Sequence, residues 1–253
     1  MQLIGLRGIL PKTLRRALRN DWNQLLAWEN NYRERRFYRQ FVNSGDFVID
    51  IGANVGLKTR ALLALGARVL AVEPNPICLE QLKQQNAVAL AEQKLFVEQV
   101  AVGSKGGQLT LHLNPSDYTT ATGSLLFLSS TEGAGSIYTS TLEVSVVTAD
   151  ELIAAHGSPS FIKIDAEGMD FEVLKGLHFR PRYLSFEFNR NPRLWSTLPR
   201  CIEEVARLGF AKANFTGSGT PSLWLKDWVP IGEIEKAIAE AENPEGFGDV
   251  LVT

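Results

Sequence analysis

The sequence predicts an α/β fold: a mostly parallel sheet with helices on both faces, behind a helical N-terminal extension. Three observations predict it. Short apolar runs alternate with helical patterns, an order that implies a parallel sheet covered on both faces. Four of those runs end in an acid, at Asp50, Glu73, Asp165 and Glu187. The first run, Phe47–Ile51, enters a helix through Gly52-Ala53-Asn54-Val55-Gly56, a turn with little side-chain bulk that lets backbone approach a ligand.

Taken in order, residues 13–41 carry Leu14, Leu18, Trp22, Leu25 and Leu26, then Trp28, Tyr32 and Phe37, at helical spacing. This places a helical extension over 1–45 and the main domain over 46–253. After the first strand a helix is expected over 57–65, stopped by Gly66, then the strand Arg68–Val72. Pro74 and Pro76 cannot continue a ladder and open a helix over 77–91. A strand follows over 95–102 and another over 108–113. Residues 114–140, rich in Ser, Thr and Gly, are expected to form a long loop, of the kind that often serves as a lid. Strands over 142–147, 161–165 and 183–188 alternate with helices from Ala149 and Asp170. The tail from Trp195 is expected to hold two helices, the first over 198–208.

Composition narrows the class. With 253 residues, 45% of them apolar and 21% charged, the chain suits a soluble globular protein with a substantial core. Cys78 and Cys201 have neither paired nor metal-ligand spacing, so a reducing, cytoplasmic setting and no metal site are expected. No run approaches the ~18 apolar residues of a membrane span, and the N-terminus is a poor secretory signal. Charge is uneven: residues 1–40 hold nine Lys and Arg against three Asp and Glu, a net +6, leaving −8 for the rest. Such a segment could meet nucleic acid, lipid or an anionic substrate, or simply solvate the outer faces of two helices.

In an open α/β sheet, ligands bind beyond the carboxyl ends of the strands, where the acids of this chain fall. Glu73 lies 23 residues after Asp50, one β-α-β unit on, where a carboxylate can accept hydrogen bonds from both ribose hydroxyls of a nucleoside. The glycine spacing is Gly-x-x-x-Gly, whereas a nicotinamide dinucleotide needs Gly-x-Gly-x-x-Gly to admit its pyrophosphate. S-adenosylmethionine fits this pattern, with the glycine turn beside its amino-acid portion and Asp50 as an indirect anchor for its ammonium. A dinucleotide, or a turn that binds nothing, stays open on these residues alone.

Four blocks together resemble the FkbM family of methyltransferases. They are Val48-Ile49-Asp50-Ile51-Gly52-Ala53-Asn54-Val55-Gly56, Val72-Glu73-Pro74-Asn75-Pro76, Val100-Ala101-Val102-Gly103, and the run from Phe161-Ile162-Lys163-Ile164-Asp165-Ala166-Glu167-Gly168 to Gly176. The Lys-Ile-Asp-Ala-Glu-Gly block is the most specific to that family. The resemblance implies a Rossmann-like class I methyltransferase fold, S-adenosylmethionine as cofactor, and most often O-methylation of a hydroxyl on a sugar, glycan or related natural product. It carries the cofactor shell onto Asp50, Gly52, Ala53, Asn54, Gly56, Glu73, Pro74 and Ala101. Tyr118–Ser124 resembles the family's Ser/Gly segment.

Asp165, Glu167 and Glu187 are the candidate catalytic residues. Asp165 and Glu167, two residues apart at a strand end, could position a hydroxyl, take its proton or hold a divalent cation. The alternative is that they cap the helix that starts at Asp170. His112 is a further possible base, although a lone histidine on a strand is more often structural. The expected partner is a small-molecule or glycan acceptor, with no nucleic acid. Two rivals remain: a methyltransferase acting on RNA or protein guided by the basic N-terminal segment, and a non-catalytic binding protein that kept the fold.

Overall fold

The computed structural model describes residues 31–130, 138–217, 220–242 and 246–253. The helical pattern expected over 13–30 lies outside them. Residues 31–38 form helix α1. Then follow β1 (Phe47–Ile51), α2 (Leu57–Ala64), β2 (Arg68–Val72), α3 (Pro76–Gln85), α4 (Ala87–Ala91), β3 (Leu95–Glu98), β4 (Ala101–Val102), β5 (Gly107–Leu113), β6 (Ala121–Thr122), α5 (Leu125–Ser130), β7 (Ser140–Val147), α6 (Ala149–His156), β8 (Phe161–Ile164), α7 (Asp170–Lys175), β9 (Tyr183–Asn189), α8 (Pro192–Trp195), α9 (Leu198–Arg207), β10 (Lys212–Gly217), β11 (Thr220–Leu223), β12 (Val229–Pro230), α10 (Ile234–Glu240) and β13 (Phe247–Val252).

The main sheet has the order β11-β10-β13-β9-β8-β1-β2-β3, with β12 paired to β10. From β3 to β9 every pairing is parallel, and β13, β10, β11 and β12 join antiparallel. Because strand side chains alternate, the pleat divides two cores. Ile49, Ile51, Leu70, Val72, Ile162 and Ile164 face the core shared with α6, α7, α9 and α10. Val48, Val69, Ala71, Phe161 and Leu251 face the other, with Phe37, Tyr38, Phe41 and Val42 of the N-terminal segment and Leu62 of α2. The expected extension is therefore, in its described part, a layer of the domain core.

The chain runs outward from β1 to β3 and returns to β8 on the other side of β1, so the strand order reverses between β1 and β8. That crevice is where an open α/β sheet takes a ligand.

Four local expectations are corrected. The helix expected over 77–91 breaks at Asn86, whose φ of −124° is not helical and whose amide Nδ2 donates to the Leu82 carbonyl at 2.7 Å. The strand expected over 95–102 is two: β3 ends the main sheet, while β4 pairs with β7 in a second sheet of order β4-β7-β5-β6. The expected long loop contains β6 and α5. The tail holds strands β10 to β13 besides its helices.

Candidate functional site

A cavity opens at the carboxyl ends of β1, β2 and β8. Gly52, Asn54, Glu73, Pro74, Ala101, Asp165 and Glu167 line it, with Tyr118 and Thr119 on the loop side and Met169 beyond β8. The turn after β1 is shaped by close approach. Gly52 has φ +75°, and a Cβ there would stand 1.8 Å from the Asp165 carbonyl oxygen, so only glycine lets these two chains touch. The N–H groups of Gly52 and Ala53 both donate to the Val72 carbonyl, at 2.9 and 3.1 Å, tying the turn to β2.

Asn54, at φ 51°, then turns its N–H onto Glu73 Oε2 at 2.8 Å, while the Asn75 N–H donates to Glu73 Oε1 at 2.8 Å. Glu73 is thereby fixed at the end of β2 and is only 6% exposed. Burial pushes its carboxyl up to about 7, against the pull of those two N–H groups. Each oxygen keeps a lone pair for a further donor. Above it, Asn54 Nδ2 donates to the Thr119 carbonyl at 2.7 Å and Asn75 Nδ2 to the Tyr118 carbonyl at 2.8 Å, so the 118–124 loop is tied down over the cavity.

Asp50, Ala53 and Gly56 lie outside the cavity lining. Asp50 is fully buried, accepts from Thr59 Oγ1 at 2.6 Å and lies 3.9 Å from Lys163 Nζ. Gly56, at φ +83°, opens α2 where a Cβ would come within 2.9 Å of Leu82 Cγ. Its need for glycine is thus steric and conformational. His112 lies on β5 between residues whose period sends Leu109 and Leu111 to the cavity, which puts it on the opposite face.

After β8 the chain turns through Glu167 (φ 49°) and Gly168 (φ +87°) into α7. No side chain caps α7, so neither Asp165 nor Glu167 serves as its cap. Thr122 Oγ1 instead donates to the Glu167 carbonyl at 2.7 Å. Burial, then the carboxylates of Asp165 and Asp170, raises Glu167 to about 8. Asp170 accepts from the Glu187 N–H at 3.1 Å, and burial with Asp165 nearby raises it to about 7.

Beneath α1 the same pleat assembles a polar row that sequence reasoning did not anticipate. Asp50, Lys163 and Ser185 stand opposite one another on β1, β8 and β9, and Glu187 faces Asp249 directly across β9 and β13. Lys163, 1% exposed, donates to Asp165 Oδ2 at 2.8 Å. Burial alone would lower its ammonium, but Asp165 and Asp50 outweigh burial and raise it above the ordinary lysine range, so it stays charged. Tyr38 of α1, 2% exposed, lies over this row, and burial with the carboxylates around it holds its phenol well above the usual value. A second cavity here is lined by Glu34, Tyr38, Lys58, Asp165, Glu187 and Asp249, among others. One lone cation in the apolar run 161–164, and one acid in the run 247–252, were the available signals for Lys163 and Asp249.

Among the described residues, no three His, Cys, Asp or Glu side chains gather so as to hold a metal ion, and no helix is long and apolar enough to cross a membrane.

A parallel sheet whose strand-end acids surround a glycine turn at its reversal point is the frame of a Rossmann-like class I methyltransferase. The sequence profile of the methyltransferase FkbM domain matches residues 50–211, and the chain belongs to that family. It is an S-adenosylmethionine-dependent methyltransferase. No curated protein matches the chain. Similar solved structures include a TehB-like SAM-dependent methyltransferase from Corynebacterium glutamicum, at 14% identity over 96% of this chain and 99% of that one, TM-score 0.49. The precorrin-6y C5,15-methyltransferase of Geobacter metallireducens is 11% identical over 88% and 85%, TM-score 0.46. Aeropyrum pernix fibrillarin, natively bound to S-adenosyl-L-methionine, is 9% identical over 84% and 68%, TM-score 0.46. These likenesses are distant, and family membership rests on the domain match.

The residues present fit the cofactor. A buried carboxylate with spare acceptor capacity stands at Glu73, and a Cβ at Gly52 would collide with the opposite strand end at the cavity mouth.

Proposed function

We propose that the chain methylates a hydroxyl of a sugar, glycan or related natural product, with Asp165 as the group that takes the hydroxyl proton. One observation carries this reading: Asp165 lines both cavities, the one beside Glu73 and the one beneath α1. A carboxylate at that junction stands where donor and acceptor would meet.

S-adenosylmethionine supplies a methyl group on a sulfonium, a donor that needs little activation. Glu73 would accept the ribose hydroxyls, and Gly52, Asn54, Pro74 and Ala101 would bound the rest of the cofactor. Lys163 holds the Asp165 carboxylate through its 2.8 Å contact and cannot follow it into solvent, being buried. Asp165 would orient the acceptor hydroxyl and accept its proton as the oxygen attacks. Orientation of two reactants can contribute up to ~7–11 kcal/mol, and a placed base roughly 10²–10⁴ in rate. Glu167, raised to about 8, is protonated at neutral pH and can donate a hydrogen bond at the same edge.

Calorimetric titration with S-adenosylhomocysteine tests the cofactor half of this reading, with saturable binding expected for the wild type and lost in Glu73→Ala. For the catalytic half, Asp165→Asn is expected to retain that binding and lose about 10²-fold or more in turnover. Loss of affinity in Asp165→Asn instead would assign Asp165 to the cofactor shell.

A further inference from the structure

The second cavity has a charge problem that the methyl-transfer reading leaves unexplained. Glu187 and Asp249 are direct partners across an antiparallel pair and project to the same face, an arrangement that destabilises a sheet. Neither carboxylate accepts a hydrogen bond from any described residue, although both line the cavity. Glu34, only 6% exposed, enters the same cavity wall from α1. It pairs through Oε1 with Lys58, and its Oε2 has no partner among the described residues. Asp165 forms the inner edge. Of the four carboxylates in the lining, Asp165 pairs with Lys163 behind the wall and Glu34 with Lys58, which leaves Glu187 and Asp249 without an ion pair among the described residues.

We propose that this cavity is the acceptor subsite and selects a polyhydroxylated molecule carrying an alkylammonium group, an amino sugar or aminopolyol in chemical class. Glu187, Asp249 and Glu34 hold the ammonium, and Asp165 meets the hydroxyl to be methylated. The proposal rests on the methyl-transfer reading, which makes Asp165 the junction of donor and acceptor. A phosphorylated acceptor is disfavoured, because it would add like charge to a wall already short of cations.

The surroundings of the two carboxyls act in the same direction. Burial, then Asp165, Asp170, Glu167 and Asp249, raises Glu187 well above its usual range. Burial also raises Asp249, to about 6, with Lys163 and Lys58 opposing and Asp165 and Glu34 assisting. A cation bound beside the two carboxyls would draw both down again, so ammonium binding is expected to release protons.

Methyl 6-amino-6-deoxyglucoside, methyl glucoside and methyl glucoside 6-phosphate differ only in the group at C6, which is cationic, neutral and anionic in turn. Each is titrated at neutral pH into the protein saturated with S-adenosylhomocysteine, in two buffers of different ionisation heat. The amine is expected to bind roughly tenfold tighter than the neutral glucoside, the worth of one charge-assisted hydrogen bond, with net proton release, and the phosphate not to bind. Asp249→Asn and Glu187→Gln are each expected to remove the preference while S-adenosylhomocysteine affinity, read on the same samples, reports that they fold. Equal binding of amine and glucoside, no binding of the amine, or an amine preference that survives both variants would overturn the proposal. Failure of the wild type to bind S-adenosylhomocysteine would instead count against the cofactor assignment, since the amine titration can be repeated without it.

Discussion

Gly52 and Gly45 share nearly the same left-handed φ, +75° and +87°, yet one is crowded and the other open. A Cβ on Gly45 would meet nothing within 4 Å, whereas one on Gly52 would stand 1.8 Å from the Asp165 carbonyl oxygen. Gly45→Ala is therefore expected to fold normally and lose only about 1 kcal/mol, the strain of a left-handed alanine, in chemical denaturation. Gly52→Ala must push β1 and β8 apart at the cavity mouth, and calorimetry should find no S-adenosylhomocysteine binding. A second prediction at this scale concerns Asp170. Its carboxyl rises from an ordinary value near ~4 to about 7, mainly through burial. Between those values the unfolded chain is ionised while the folded one keeps its proton. The stability from Asp170 is thus full at low pH and lost as pH rises through about 7. Asp170→Asn keeps an acceptor for the Glu187 N–H and removes the titration. Relative to wild type, the variant should gain stability as pH rises across that window, read by urea unfolding at a series of pH values.

Elements differed in how plainly the sequence announced them, and the reason is burial. Strands β1, β2 and β8 are buried on both faces and read as apolar runs ending in an acid, so the acids Glu73 and Asp165 that line the first cavity were legible with them. Strand β10 alternates Ala213 and Phe215 with Asn214 and Thr216, and β13 carries Gly248 and Asp249 before its apolar run, Thr216 and Asp249 lying on the face that lines the second cavity. Polar residues at those positions mask the strand signal, and with it the second cavity. The split of the strand expected over 95–102 was equally hidden, since only the pairing partner distinguishes β3 from β4. Asn75 shows how one residue serves two elements. Its Oδ1 accepts from the Ile77 N–H at 3.0 Å to cap α3, and its Nδ2 holds the Tyr118 carbonyl. Asn75→Ser is expected to preserve the cap, serine being a good one, and lose the tether. Hydrogen exchange should then rise over 118–124 with α3 unchanged, and cofactor affinity should fall.

On the scale of the whole molecule, the segment before the first strand decides whether one of the two cores closes. Phe37, Tyr38, Phe41 and Val42 are each 4% exposed or less, and they pack on the face opposite α6, α7 and α9. Phe41 stacks on Phe161 and meets Tyr183 and Trp228 edge-on, with centroid distances of 6.3, 5.4 and 6.4 Å. Arg182 ties the same segment down by donating to the Phe41 carbonyl at 2.9 Å and to Asp46 at 2.6 Å. Removing residues 1–45 would uncover Phe161, Val48 and Leu251 and expose the Lys163–Asp50 pair to water. Burying side chains of this size is worth about 1.5–3 kcal/mol each, so four of them amount to most of the ~5–15 kcal/mol by which a domain is stable. A chain starting at residue 46 is therefore expected to be insoluble or to lack a cooperative melt, while one starting at residue 31 keeps the core layer. Circular dichroism melts of the two truncations check this directly. The comparison also separates structure from recognition: the chain starting at residue 31 retains Glu34 at the second cavity while losing five of the nine Lys and Arg of the basic N-terminal segment. Unchanged S-adenosylhomocysteine binding in the chain from residue 31 would show that the segment before it has no part in holding the cofactor.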